Sequence, residues 1–239
     1  MVKVNFFDKR VIKKFLEVTA VVSGTLSFVV IFVDVPAEWK LKAGLAFLAI
    51  LALTYLAIWL WSNNLNSIDI NVEGSDVAIK TGDIFQQPGL KAIAFNEYFD
   101  TQVDNKIIGE TSLNGVFIQK HLGVPLSELD RHIEEYAFDN SEVLDENEAR
   151  KQGKKKRYQI GTICLYKDYL LTAFSKFDEN NKALLTMPEY LEFLINFWDK
   201  VNNVYAQQSV STTIFGSGIT RIKGHKNISD EDLLKIMLW

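Results

Sequence analysis

The stretch DVAIKTGDIFQQPGLKAIAFNEYFDT, residues 76–101, gives the strongest indication of the fold. It predicts a strand, a tight turn at Gly82 and Asp83, and a second strand built on the apolar run at residues 92–95. We predict that this second strand ends at Asn96, so that polar groups lie along one rim of a sheet. In open α/β sheets, that rim is where nucleotides usually bind. The strand-forming residues around the turn are Val77, Ile79 and Ile84.

Predicted helices and strands alternate after this stretch, which indicates a mixed central sheet covered by helices. The fold class is therefore α/β, a three-layer sandwich.

The longest helix is opened by a capping box at Thr186 and Glu189, and an earlier helix by one at Ser127 and Asp130. Residues 139–157 are polar and are predicted to form a solvated loop. Further helices are predicted at 101–108, 116–122 and 128–136 and from Ser229 onward, and strands at 158–164, 169–177 and 209–215. On the longest helix, the residues predicted to face the core are Leu191, Leu194, Ile195, Trp198 and Val201.

Two uncharged, apolar runs precede this α/β part, at residues 18–33 and 43–61. A helix that crosses a bilayer needs about 20 such residues, so the two runs predict an all-α transmembrane hairpin. The alternative is a pair of helices buried in a large core, which we do not favour because a domain of this size rarely contains two such runs in succession. A cleaved signal peptide is not favoured either, because a long charged segment precedes the first run.

Basic residues are concentrated before the first apolar run, whereas the connector at residues 34–42 carries acids and lysines alike. The positive-inside rule therefore places the N-terminus in the cytoplasm, and two crossings return the rest of the chain there. We expect a multi-pass protein of the cell (inner) membrane. Residues 1–62 would form the anchor and residues 63–239 a cytoplasmic nucleotide-binding domain. The basic residues are Lys3, Lys9, Arg10, Lys13 and Lys14.

The charge and the cysteine content narrow the class of protein further. The net charge of −4 argues against nucleic acid as the main partner. A single cysteine, Cys164, excludes an intramolecular disulfide and fits a reducing compartment. The three histidines, His121, His132 and His225, lack the spacing of metal ligands, so we expect no metal site.

Two glycine-containing segments could hold a phosphate group. In the first, Ser112–Leu–Asn–Gly115 precedes a predicted helix, whose N-terminal amides and dipole would favour an anion, although an ordinary turn also explains it. In the second, Gly216–Ser–Gly–Ile–Thr–Arg221 follows a predicted strand and could form a nest of backbone N–H groups.

Taken in order, four of these features resemble the macro domain family, which binds ADP-ribose and related nucleotides. They are the sequence Gly82–Asp–Ile, a strand ending in Asn96, a Gly–Val helix entry, and the late sequence Gly–Ser–Gly–Ile. The resemblance covers about residues 68–239. The usual Asn–Ala–Ala–Asn is replaced here by Asn–Glu–Tyr–Phe from Asn96 onward, and the usual glycine-rich run is reduced to Ser–Leu–Asn–Gly115. In hydrolytic members those positions hold the distal ribose and a water, so the changes place hydrolysis in doubt more than binding.

The resemblance implies a role for each matching residue. Asp83 would accept from the adenine amino group, with Ile84 beside the ring, and Asn96 would lie near the distal ribose. Gly115 and Val116 would meet the diphosphate from one side. The residues that would close over it from the other side are Gly216, Ser217, Gly218, Ile219 and Thr220.

A two-helix anchor joined to a divergent macro domain resembles the membrane effectors of type II Thoeris anti-phage systems. The resemblance implies that a partner TIR-domain enzyme makes an ADP-ribose conjugate and that the macro domain senses it. On this interpretation the chain needs no cofactor, is not an enzyme, forms a homo-oligomer, and acts on membrane lipids by disrupting the bilayer.

Two other functions remain open on the sequence. The first is an anchored ADP-ribosyl hydrolase or nucleotide-processing enzyme, for which Glu97, Asp100 and His121 are the available proton-transfer groups. Each of them also has a structural explanation: Asp100 as a helix N-cap, and Glu97 and His121 as surface residues. The second is a purely structural membrane protein.

Overall fold

The computed structural model describes residues 4–33, 36–218, 221–224 and 228–239. It consists of two compact units, Met1–Thr81 and Gly82–Trp239. The predicted division at residues 62 and 63 lies earlier in the chain and stays a prediction.

The first unit contains two long helices, α1 (Lys9–Phe32) and α2 (Ala37–Asn64), followed by a hairpin of β1 (Ser67–Val72) and β2 (Ser75–Lys80). Both helices are long and apolar enough to cross a membrane, and no described residue in the most apolar window of either helix is buried. Asp8 caps α1 by accepting from the N–H of Arg10.

The second unit is built on a mixed sheet. The strands of this unit are β3 (Leu90–Asn96), β4 (Val143–Glu146), β5 (Lys156–Tyr158), β6 (Ile163–Tyr166), β7 (Tyr169–Phe177), β8 (Ala183–Leu185), β9 (Val210–Ser211) and β10 (Arg221–Ile222). Strands β4 and β5 pair with each other in a separate two-stranded antiparallel sheet. The central strand order is β10-β8-β7-β3-β9, with β6 also paired to β7. Strand β3 is parallel to β7 and β9, whereas β6 and β8 are antiparallel to β7.

Helices cover both faces of this sheet. They are α3 (Leu113–Val116) with a π-helical turn (Phe117–His121), α4 (Leu126–Glu135), α5 (Met187–Val204) and α6 (Asp230–Met237), and a 3₁₀ turn (Ile84–Gln86) precedes β3. Alternate residues of β7 face opposite layers. Leu170 and Phe174 join the core formed with α5 and α6, whereas Leu171 and Ala173 join the core formed with α4 and the π-helical turn. The predicted three-layer α/β fold is confirmed.

Local capping signals give several element ends correctly. Strand β3 ends at Asn96, as predicted. The side-chain oxygen of Asn96 accepts from the N–H groups of Tyr98 and Asp100, and these hydrogen bonds turn the chain. The capping box of Thr186 and Glu189 opens α5, and Ser229 caps α6.

Other local predictions are wrong. Residues 101–108 form no helix, because the Asp104 carboxylate accepts from Lys106 and Ile107 and the next residue, Asn105, has a φ of 61°. Ile84 lies in the 3₁₀ turn rather than in a strand. Helix α4 begins after Pro125 without a side-chain cap. Of the predicted strand at 209–215, only residues 210–211 form a strand. Of the predicted strand at 158–164, only residue 158, at the end of β5, and residues 163–164, at the start of β6, do so. The predicted loop at 139–157 includes β4 and part of β5.

The core face of α5 also differs from the prediction. Leu194 and Val201 are buried, but Ile195 is 64% exposed. Leu191 and Trp198 are each 39% exposed. A competing stripe of large aromatic rings takes the core face, because those rings bury more apolar area there. The stripe consists of Tyr190, Phe193 and Phe197.

Candidate functional site

The carboxyl ends of β3 and β7 meet at one edge of the sheet. The two strands are parallel, and Asn96 at the end of β3 pairs with Ser175 near the end of β7. Strand β10 begins at the same edge, because its residue 221 pairs with Leu184, which in turn pairs with Lys176 of β7. The fold therefore brings Asn96 and the start of β10 to the rim expected to bind a nucleotide.

The side chain of Asn96 is held by its own chain segment. It is 3% exposed, and its Nδ2 donates to Asp100 Oδ2 at 2.8 Å. Its Oδ1 accepts the N–H of Tyr98 at 3.0 Å and that of Asp100 at 3.2 Å. One N–H of the carboxamide makes no hydrogen bond to any described residue. Asn96 can therefore present a donor, rather than an acceptor, at this edge.

Arg150, which the sequence analysis did not single out, binds the same carboxylate as Asn96, that of Asp100. Arg150 donates to both oxygens of Asp100, at 3.1 and 2.6 Å, and its side chain is 6% exposed. Its guanidinium stacks over the ring of Tyr98 at 3.8 Å. The prediction of Asp100 as a helix N-cap is wrong, because no helix follows it and its carboxylate is buried in this ion pair. The pair spans 50 residues of sequence, so no local pattern indicates it.

Glu97 is also buried, contrary to the prediction of a surface residue. It is 4% exposed, and its Oε1 accepts the N–H of Phe177 at 3.1 Å. Burial raises the pKa of this carboxyl group, and the Phe177 amide and nearby cations oppose the rise. Glu97 joins the ends of β3 and β7. His121, in contrast, is exposed as predicted.

The Gly115 segment is a tight helix start. An ideal β-carbon on Gly115 would lie 2.2 Å from the carbonyl oxygen of Gly109, so only glycine fits. The Gly115 N–H is bound by Ser112 Oγ at 3.2 Å and Asn114 Oδ1 at 3.1 Å, and the Val116 N–H by the Ser112 carbonyl at 2.9 Å. In this conformation, the N–H groups of Gly115 and Val116 are already hydrogen-bonded within the segment. A phosphate can therefore come close to this backbone, but it finds no free amide there.

Asp83 lies at the start of the 3₁₀ turn before β3. Its carboxylate is exposed and accepts the N–H of Phe85 at 3.0 Å, which leaves lone pairs for a ligand amine. Ile84 is 8% exposed. The ring of Phe85 stacks on His121 at a centroid distance of 3.8 Å, so the Asp83 turn is attached to the end of the π-helical turn that follows Gly115 and Val116.

The late glycine segment forms a turn before β10. Gly216 has a φ of 85°, and both the N–H and the hydroxyl of Ser217 donate to the Ile214 carbonyl. The Phe215 carbonyl accepts from the Tyr190 hydroxyl at 2.9 Å, which anchors this turn to α5. No described heavy atom lies within 4 Å of an ideal β-carbon on Gly218. Two further predicted site residues, Ile219 and Thr220, lie outside the described residues.

The described residues include no group of three or more His, Cys, Asp or Glu side chains that could hold a metal ion. His132 Nε2 lies 2.9 Å from the Leu165 carbonyl oxygen, and Cys164 is buried. Burial raises the pKa of the Cys164 thiol to about 12, so it is not a reactive nucleophile. His225 lies outside the described residues.

Comparisons with known proteins match both the α/β part of the chain and the part that contains the apolar helices. The family model described as "Thoeris protein ThsA, Macro domain" matches residues 77–239. The chain is also 35% identical over 237 residues to the "Thoeris protein ThsA" of Bacillus amyloliquefaciens (strain Y2), a match that covers 97% of this chain and 78% of that protein. The part of this chain that the match leaves out is shorter than either apolar helix, so the match includes residues of both helices.

Proposed function

Because the chain belongs to the ThsA family of Thoeris proteins and carries its macro domain, we propose that it is an anti-phage defence effector that senses an ADP-ribose-derived signal. The observation that carries this proposal is a match to a ThsA protein along nearly the whole chain, including both apolar helices. The resemblance of the Asp83, Asn96 and Gly216 segments to nucleotide-binding macro domains supports the same function.

The ligand is an ADP-ribose conjugate made by a partner TIR-domain enzyme. The exposed Asp83 carboxylate accepts from the adenine amino group, with Ile84 beside the ring, and Asn96 donates to the distal ribose. The Gly115–Val116 backbone and the turn at residues 216–220 enclose the diphosphate. No cofactor takes part.

The domain binds this ligand without turning it over. A hydrolase needs a proton-transfer group that reaches the ligand. Glu97 accepts a backbone N–H from Phe177, and Asp100 is neutralised by Arg150, so both carboxylates at this edge are committed to the fold. The second candidate function, an anchored ADP-ribosyl hydrolase, is favoured only by the presence of the exposed His121.

The two apolar helices anchor the chain in the cell (inner) membrane as a hairpin, with the N-terminus and the macro domain in the cytoplasm. Ligand binding promotes assembly into a homo-oligomer, and the assembled hairpins disrupt the bilayer. Exposed apolar side chains along both helices, such as Phe28 and Leu48, are suited to lipid.

Calorimetric titration of the full chain in detergent micelles tests the sensing step. We expect ADP-ribose, or an amino-acid conjugate of it, to bind without being consumed. Asp83→Ala should weaken that binding, and Asp199→Ala, which removes an exposed carboxylate on α5, should not. Consumption of the ligand would support the hydrolase instead, and absence of binding by the unaltered chain would refute the proposal.

Dye release from liposomes that contain the full chain tests the membrane step. Release that requires the ligand and is lost in Asp83→Ala supports the proposal. Release that is independent of the ligand, or no release with bound ligand, contradicts it.

A further inference from the structure

We propose that Arg150 is a positioning residue for the ligand site: through Asp100 it fixes the direction of the Asn96 carboxamide, and so makes the site selective for a ligand with a distal ribose. This inference rests on the proposed function of the same site.

Arg150 is held in place by contacts on both the edge and the face of its guanidinium group. Its two terminal nitrogens make four hydrogen bonds. Two go to the Asp100 carboxylate, one to the Lys154 carbonyl at 2.5 Å, and one to Asn181 Oδ1 at 3.0 Å. The flat face of the guanidinium lies on Tyr98, whose hydroxyl accepts from Asn147. A planar group held on its edge and on its face has one orientation.

Arg150 in turn fixes the orientation of the Asp100 carboxylate. Each carboxylate oxygen of Asp100 has two donors. Oδ1 accepts from Arg150 and from the Lys154 N–H at 2.7 Å, and Oδ2 accepts from Arg150 and from Asn96. The loop that carries these donors approaches so closely that a β-carbon on Gly153 would lie 2.6 Å from Asp100 Oδ1. The carboxylate therefore cannot rotate without losing charged hydrogen bonds.

Asp100 sets the direction of the Asn96 carboxamide. A carboxylate only accepts and a backbone N–H only donates, so the nitrogen of Asn96 must face Asp100 and its oxygen must face the N–H groups of Tyr98 and Asp100. Exchange of the two atoms would place acceptor against acceptor and donor against donor. The remaining N–H is thereby directed as a donor, and a sugar hydroxyl can accept from it.

Arg150 touches a different part of the site from the groups proposed to hold adenine and diphosphate. Its described contacts are with the segment after β3, with its own loop, with the ring of Phe177 at the end of β7 at 5.8 Å, and with the β7–β8 turn through Asn181. A change at Arg150 should therefore alter recognition of the distal ribose and leave recognition of the ADP portion intact. A merely structural role would affect both ligands alike.

The test compares ADP-ribose with ADP, which lacks the distal ribose, by calorimetry on the full chain in detergent. A lysine at position 150 keeps the charge but cannot bridge both oxygens of Asp100. We expect Arg150→Lys to weaken ADP-ribose binding by about tenfold while ADP binding stays within about twofold. Arg157→Lys is the matched control, because Arg157 pairs with the exposed Asp145, and it should change neither affinity.

A second variant keeps the inference testable where Arg150→Lys does not fold. Asn181→Ala removes one partner of Arg150 and leaves its ion pair with Asp100 intact. It should weaken ADP-ribose binding in the same direction but by a smaller factor.

Equal losses for ADP-ribose and ADP, or no loss for either, would overturn the role of Arg150 while the proposed function stands. An unaltered chain that binds ADP and ADP-ribose equally well would also overturn it, because no distal ribose would then be recognised. An unaltered chain that binds neither ligand would refute the proposed function itself.

Discussion

The α-carbon of Gly115 packs against the carbonyl of Gly109, and a β-carbon there would lie 2.2 Å from the carbonyl oxygen. Gly115→Ala should therefore force the Gly109–Val116 segment apart and reduce the free energy of unfolding by about 1–3 kcal/mol. Binding of ADP-ribose should weaken as well, because this backbone is proposed to approach the diphosphate. Chemical denaturation and calorimetry of the full chain in detergent measure the two effects.

Gly218→Ala is the matched control for the effect on stability alone, because Gly218 lies in the turn that is proposed to enclose the diphosphate. No described heavy atom lies within 4 Å of the place that a β-carbon on Gly218 would take, so the free energy of unfolding should stay unchanged. If Gly115→Ala were as stable as Gly218→Ala, the close contact with Gly109 would not constrain the helix start.

Glu189 links the capping box of α5 to Lys176 and should make the fold sensitive to acid. Burial opposes its ionisation, but donors from Lys176 and Thr186 outweigh burial and lower the pKa of Glu189 to about 2, from an ordinary value of 4.5. A carboxyl group with a lowered pKa stabilises the fold above pH 4.5, and that stability is lost as the pH falls toward 2. Glu189→Gln should cost about 1–3 kcal/mol at pH 7, and the difference from the unaltered chain should shrink below pH 4.5.

Denaturation at pH 7, 5 and 3 measures that difference, with Glu192→Gln, an exposed position on the same helix, as the control. A gap between Glu189→Gln and the unaltered chain that persists unchanged at pH 3 would contradict the assigned pKa.

Glu97 should show the opposite pH dependence. Burial raises the pKa of its carboxyl group above the ordinary 4.5, so the ionised form costs stability as the pH rises above that value. A glutamine at this position still accepts the N–H of Phe177 and carries no charge to bury. Glu97→Gln should therefore raise the free energy of unfolding at pH 7 by up to about 1 kcal/mol, with no gain near pH 4.

The same denaturation series as for Glu189 measures this effect. A loss of stability in Glu97→Gln at pH 7 would mean that cations near Glu97, such as Arg157 and Lys176, favour the ionised form more than burial opposes it.

What the sequence predicts well here is what a few neighbouring residues decide. The end of β3 at Asn96 and the start of α5 at Thr186 follow from side chains that bond amides within four residues. The α/β class follows from the alternation of apolar strands with amphipathic helices, and the apolar helices from their composition.

What the sequence does not predict depends on distant partners or on competition between equal patterns. Two apolar stripes run along α5, and only the packing of Phe193 and Phe197 against the sheet decides which is buried. Arg150 lies in a polar stretch that favours a loop, and its role comes from Asp100 and Asn181, which are far from it in sequence. The burial of Asp100 and Glu97 escapes local patterns for the same reason.

The buried thiol of Cys164 allows a direct test of the membrane topology. Cys164 is 0% exposed, and burial raises its pKa to about 12, so a membrane-impermeant maleimide should not label the folded chain at pH 7 but should label it after denaturation. A cysteine introduced by Ala37→Cys at the start of α2, or by Ser67→Cys at the start of β1, would then be the single reactive site. With the N-terminus in the cytoplasm, the Ala37→Cys chain should be labelled on intact cells and the Ser67→Cys chain only after the cells are opened. Labelling of Ser67→Cys alone on intact cells would reverse the orientation, and equal labelling of both on intact cells would mean that α2 does not cross the membrane.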